Sequence, residues 1–139
     1  MNVILKKLDF KDIVEKVKIY YLVIDDKSPI EEFLDELNKS RIEDFFKITN
    51  QLKRIAQRGI LFNEQQFRIL KPYKPICKIK IQGVRLYCTN EHNIVILLNG
   101  DYKKSNKWSN QNKTIINKAL LLYESYKSAL NDGDIKYDN

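Results

Sequence analysis

Residues 77–88 read Cys-Lys-Ile-Lys-Ile-Gln-Gly-Val-Arg-Leu-Tyr-Cys and carry three cations, Lys78, Lys80 and Arg85, on what reads as one small hairpin. With Gln82-Gly83 as the turn, residues whose numbers sum to 165 lie opposite each other. Ile81 then faces Val84, Ile79 faces Leu86, and Cys77 faces Cys88, every pair apolar. The other face pairs Lys80 with Arg85 and Lys78 with Tyr87. Strand side chains alternate with period two, so a one-residue slip would scramble this division. Like charges directly opposed, with Cβ atoms about 5 Å apart, destabilise a strand pair. Either both long side chains splay into water or an anion sits between them.

The stretch Asp-Tyr-Lys-Lys-Ser-Asn-Lys-Trp at 101–108 favours the anion. It follows an apolar strand, so Tyr102, Lys103, Lys104 and Lys107 are placed to join the trio, with Lys74 just ahead of the hairpin. Tyr87 and Tyr102 offer rings to stack on bases and hydroxyls to donate to phosphate. A basic patch interleaved with aromatics on a rigid sheet suits RNA.

The charge balance points the same way. The chain has 139 residues and a formal net charge of +7. Residues 71–107 carry 8 basic against 2 acidic side chains, whereas residues 1–40 carry 7 against 9. Such asymmetry marks a polyanion site. Two cysteines and one histidine exclude a Cys/His zinc site within the chain. Four glycines form no phosphate loop. No metal or cofactor is expected. No apolar run approaches the roughly 20 residues a membrane span needs, and the charged N-terminus does not read as a signal peptide. The expected setting is cytoplasmic, with no membrane partner.

The elements that must position these residues follow from periodicity. KIYYLVI (18–24) is β-branched and aromatic, as a strand is. Ser28, Pro29 and Glu31 make a helix start, and Ser40 with Glu43 a second capping box. A helical hairpin is predicted over about 29–58, stopped by Gly59. Residues 60–75 read as a loop or short strand. Three strands follow at 76–81, 84–88 and 93–98. The last, NIVILL, is apolar throughout, as a strand covered on both faces is. A third helix is predicted over about 110–130, then a polar tail.

This order, with KIKIQGVRLYC, IVILLNGDYKKSNKW and FLDELNKSRIEDFFKITNQLKRIAQRG, resembles the RelE/ParE superfamily of toxins from type II toxin-antitoxin systems, including the HigB-like branch. The similarity spans roughly residues 18–130. It implies an α+β, RelE-like fold: a small, twisted antiparallel sheet with an N-terminal helical hairpin on one face and a C-terminal helix. Residues 1–16 would be an N-terminal extension, 17–130 the toxin domain and 131–139 a polar C-terminal tail. The other sheet face would be an RNA-binding concavity. The resemblance also implies a ribosome-dependent endoribonuclease that cuts mRNA without a metal, the RNA's own 2′-hydroxyl attacking the adjacent phosphate. The partners would be the ribosome, mRNA and a cognate antitoxin. Lys78 and Lys80 match the family's Lys-x-Lys pair, Arg85 its strand arginine, and Lys103 or Lys104 its later basic position. One lysine would assist deprotonation, Arg85 would hold the phosphate, and a second cation would aid the leaving oxygen. Lys74, Tyr87, Tyr102, Lys104 and Lys107 would bind RNA. Two alternatives stay open: gyrase inhibition of the ParE kind, and RNA binding without cleavage.

Overall fold

The computed structural model describes residues 1–60, 67–103 and 110–139. Its sheet has seven strands, not the four or so of a small antiparallel sheet. They are β1 (Val3–Lys7), β2 (Lys18–Ile24), β3 (Phe67–Ile69), β4 (Cys77–Ile81), β5 (Val84–Glu91), β6 (Ile94–Tyr102) and β7 (Ile135–Asp138). Their order is β3-β4-β5-β6-β2-β1-β7. The sheet is mixed, because β2 runs parallel to β6 and β1 parallel to β7. The RelE-like arrangement expected from the motifs is therefore corrected. Residues 1–16 are no appendage: β1 lies between β2 and β7 inside the sheet. Nor is 131–139 a free tail, since Ile135 packs into the core and the Tyr20 hydroxyl donates to Asn139 Oδ1 at 3.0 Å.

The helices are also arranged differently. Helices α1 (Pro29–Ser40) and α2 (Ile42–Arg58) pack on one sheet face, and α3 (Asn110–Asp132) packs on the other. The reason lies in the strands. On β6, Val95 and Leu97 join Ile30, Leu34, Ile48 and Leu52 of the hairpin. Ile96 and Leu98 join Ile116, Ala119, Tyr126 and Ala129 of α3. β2 divides likewise, Ile19 to one side and Tyr20 and Leu22 to the other. Leaving either apolar face wet would forfeit about 1.5–3 kcal/mol per large side chain. A helix-free concavity across the whole second face is thus excluded.

Local signals set the hairpin. Ser28 Oγ accepts the Glu31 amide at 3.3 Å, and Pro29 opens α1. The second start differs from expectation. Ser40 Oγ bonds back to the Glu36 carbonyl at 2.8 Å, extending α1, and Arg41 becomes the junction residue. Arg41 then lies over the Tyr102 ring, 3.7 Å from its centroid, tying the hairpin to β6. Gly59 ends α2 at φ 93°, as predicted. No helix among the described residues is long and apolar enough to cross a membrane.

Candidate anion-binding site

Strands β4 and β5 pair in the register read from their sequence: Lys80 opposes Arg85, Lys78 opposes Tyr87, and Cys77 opposes Cys88. Both cysteines are free and buried, and burial pushes the Cys77 thiol up to about 11, so neither is a nucleophile at neutral pH. On the α3 face two rows of side chains cross the sheet. One runs Arg68, Lys78, Tyr87, Asn99. The next runs Lys80, Arg85, Asp101.

A β-bulge builds the second row. Between Tyr87 and Cys88 the β5–β6 register shifts by one residue. Below the shift Cys88 faces Leu97; above it Tyr87 faces Asn99. Leu98 and Asn99 therefore both turn toward α3, Leu98 into its core and Asn99 Nδ2 onto the Ile115 carbonyl at 3.0 Å. Every later residue of β6 changes face. Asp101 comes to lie opposite Arg85, and Tyr102 goes to the hairpin side with Arg41. Tyr102 is thus not part of the cationic cluster, because neighbours on a strand cannot share a face without a bulge between them. Gly83 lets the β4–β5 turn close on this end of β6. It accepts the Lys103 amide at 2.8 Å, and a Cβ there would meet the Lys103 carbonyl oxygen at 2.7 Å.

Arg85 is not a solvent-face residue. It is 6% exposed and Lys78 is 8% exposed, buried with the sheet under the α3 side. Among the described residues no side-chain hydrogen bond or ion pair joins either to another residue, and Arg85 Nε is buried without a partner there. Two adjacent buried cations without a paired carboxylate are costly. The chemistry shows in Lys78, whose pKa falls to about 8. Lost hydration is the main cause, followed by repulsion from Arg68, Arg85, Lys80 and Lys103. Lys80 and Lys103 are half-exposed at the rim. Lost hydration and the Arg85 charge hold the Lys103 ammonium below its usual range.

Among the described residues, the one acid facing the cluster from the paired strands is turned aside. Asp101 accepts the Tyr87 hydroxyl on Oδ1 at 3.4 Å and Asn112 Nδ2 on Oδ2 at 3.2 Å. Burial pushes its carboxyl above the usual range, against the pull of Arg85. Tyr87 is 1% exposed, so its ring offers no face to a base. Its hydroxyl stays protonated, burial raising the pKa to about 12.

Of the residues expected at the site, Lys78, Lys80, Arg85 and Lys103 come together, with Tyr87 beneath them as a hydrogen-bond donor. Lys74 is exposed on the loop after the 3-10 turn Lys71–Tyr73. Lys104 and Lys107 lie outside the described residues. Arg68, Asp101 and Asn112 were not anticipated. Arg68 stood in a stretch read as loop or short strand, although Phe-Arg-Ile alternates as a strand does. His92 is in the β5–β6 turn, at the far end of β5 from Arg85. Among the described residues no three His, Cys, Asp or Glu side chains cluster as metal ligands would.

No protein-family model matches the chain, and no curated protein matches it.

Proposed function

We propose that the protein is an endoribonuclease that holds an RNA phosphodiester on the Lys78–Arg85 cluster and breaks it by attack of the neighbouring 2′-hydroxyl. The observation that carries this reading is the pair of buried cations without an ion-pair partner among the described residues, one of them a lysine with a pKa of about 8. An ordinary lysine is protonated almost completely at pH 7, whereas roughly a tenth of a lysine at pKa 8 is neutral and able to accept a proton.

The roles follow from position. The neutral Lys78 amine takes the 2′-hydroxyl proton, and the oxygen attacks phosphorus. Arg85 receives the negative charge that grows on the non-bridging oxygens, with Lys80 beside it. Lys103, an ammonium that loses its proton more readily than usual, protonates the departing 5′-oxygen. The products are a 2′,3′-cyclic phosphate and a 5′-hydroxyl. In this reading the protein acts as a toxin. The ribosome as the place of cleavage and a cognate antitoxin as the silencing partner come with the sequence resemblance and are proposed on that ground.

Mapping transcript ends after induced expression tests the reading. Induction should produce new internal 5′ ends that Arg85→Ala abolishes while growth recovers. Growth arrest without new ends, together with inhibition of purified gyrase, would replace it with the gyrase reading.

A further inference from the structure

Arg85 and Asp101 stand directly opposite each other on β5 and β6, on the same face. A guanidinium and a carboxylate so placed ordinarily form a charge-assisted pair. Here no ion pair within 4.0 Å joins them, and Arg85 Nε has no partner. Each carboxylate oxygen takes a donor elsewhere. Tyr87, one row along β5, donates to one oxygen, and Asn112, from the first turns of α3, donates to the other. Tyr87 is fixed by burial, and Asn112 is 3% exposed, so neither donor swings freely.

We propose that Asp101 is a withheld counter-ion: Tyr87 and Asn112 hold its carboxylate off Arg85, which keeps the guanidinium open to a phosphodiester. Tyr87 and Asp101 are then positioning residues and touch no substrate. The arrangement resolves two opposed requirements. A carboxylate near the cluster reduces the cost of its buried charge, yet a carboxylate seated on Arg85 would compete with phosphate for the same donors. Hydrogen bonding to a third and fourth side chain keeps the charge close and the fork free. The β5–β6 bulge is what brings the carboxylate within reach, since without it Asp101 would face Val84 on the hairpin side. This inference rests on the cluster being a phosphodiester site.

A mutant cycle tests it. The probe is a fluorescent 2′-O-methyl RNA oligonucleotide, which lacks the attacking hydroxyl, so anisotropy reads binding alone. Tyr87→Phe keeps the ring and removes only the donor. Asp101, freed on Oδ1, should rotate onto Arg85 and weaken binding about tenfold, the scale of one opposed charge at a partly buried donor. Asp101→Asn should bind at least as tightly as the wild type. The double variant should bind like Asp101→Asn, because with no carboxylate to release the Tyr87 hydroxyl has nothing to hold. Equal losses from Tyr87→Phe in both backgrounds would make Tyr87 merely structural and overturn the proposal, as would no loss in either. Should Tyr87→Phe lower the urea midpoint, the Asp101→Asn arm decides: weaker binding there overturns the proposal. In all these outcomes the wild type still binds and the site reading stands. A wild type that binds no better than Arg85→Ala overturns both.

Discussion

Replacing Lys78 by methionine should stabilise the free protein at neutral pH. The side chain is 8% exposed and has no ion pair among the described residues, so its charge is held in the fold at a cost. That cost is read from its pKa, about 8 when folded against 10.5 for an ordinary lysine. Below pH 8 both folded and unfolded chains carry the proton, and the penalty is complete. Between pH 8 and 10.5 the unfolded chain binds more protons than the folded one, so stability rises with pH. Above that window both states are neutral and the penalty is gone. The gap of about 2.5 units corresponds to roughly 3 kcal/mol, of which about 2 kcal/mol is regained between pH 7 and 9.5. Methionine fills similar volume without charge. Urea unfolding followed by circular dichroism in phosphate-free buffer measures both variants at pH 7 and 9.5. Lys78→Met should be more stable at pH 7 by about 2–3 kcal/mol, and its advantage should shrink to about 1 kcal/mol at pH 9.5. A variant that is less stable at pH 7, with the same pH slope as the wild type, would show that Lys78 has a partner in the free protein. Lys78 and Arg85 would then not form an anion site.

Further outcomes follow from the same geometry. For cleavage, log kcat/KM should climb with unit slope below pH 8 as Lys78 becomes neutral, and fall again at higher pH once the Lys103 ammonium loses its proton; a profile with no rise toward pH 8 would make Lys78 a phosphate-holding cation instead. The rise of kcat itself should lie at higher pH, since a bound phosphodiester favours the ammonium. Leu5→Ala should destabilise by about 2–5 kcal/mol in urea unfolding, as a core position does and an appendage does not. Leu5 is 1% exposed between the sheet and α3. Gly100→Ala should cost about 1–3 kcal/mol, the usual range for overpacking. Its Cβ would come within 2.6 Å of the Phe33 ring and 2.8 Å of the Arg85 carbonyl, prising α1 from the sheet.

What could be read from the sequence was local. The β4–β5 register was legible because one pairing alone keeps Ile79, Ile81, Val84, Leu86 and both cysteines on one face. The hairpin helices were legible from Ser28, Pro29 and Gly59. NIVILL carried its message too: a strand apolar on both faces needs two helical layers, which contradicts a bare concavity beside it. Non-local features were not legible. The parallel pairings of β1 with β7 and of β2 with β6 join residues more than seventy positions apart, and no pattern within either strand names its partner. The tail's Ile-Lys-Tyr-Asp looked polar because an edge strand is polar on its open side. The bulge at Leu98 left no mark either. Counting from the His92-Asn93 turn would set Arg85 against Gly100, and only the one-residue shift brings Asp101 into place. Lys78, Lys80, Arg85 and Lys103 were therefore visible, and Arg68 and the acid that faces the cluster were not.

The central claim is that the RNA's own 2′-hydroxyl is the nucleophile at the Lys78–Arg85 cluster. Purified protein, ribosomes and an mRNA with a mapped cut position test it when a single 2′-deoxynucleotide replaces the nucleotide whose hydroxyl would attack. The cut at that position should vanish while cuts elsewhere persist and leave 2′,3′-cyclic phosphate ends. Continued cleavage at the deoxy position, or fragments ending in a 3′-hydroxyl, would contradict it.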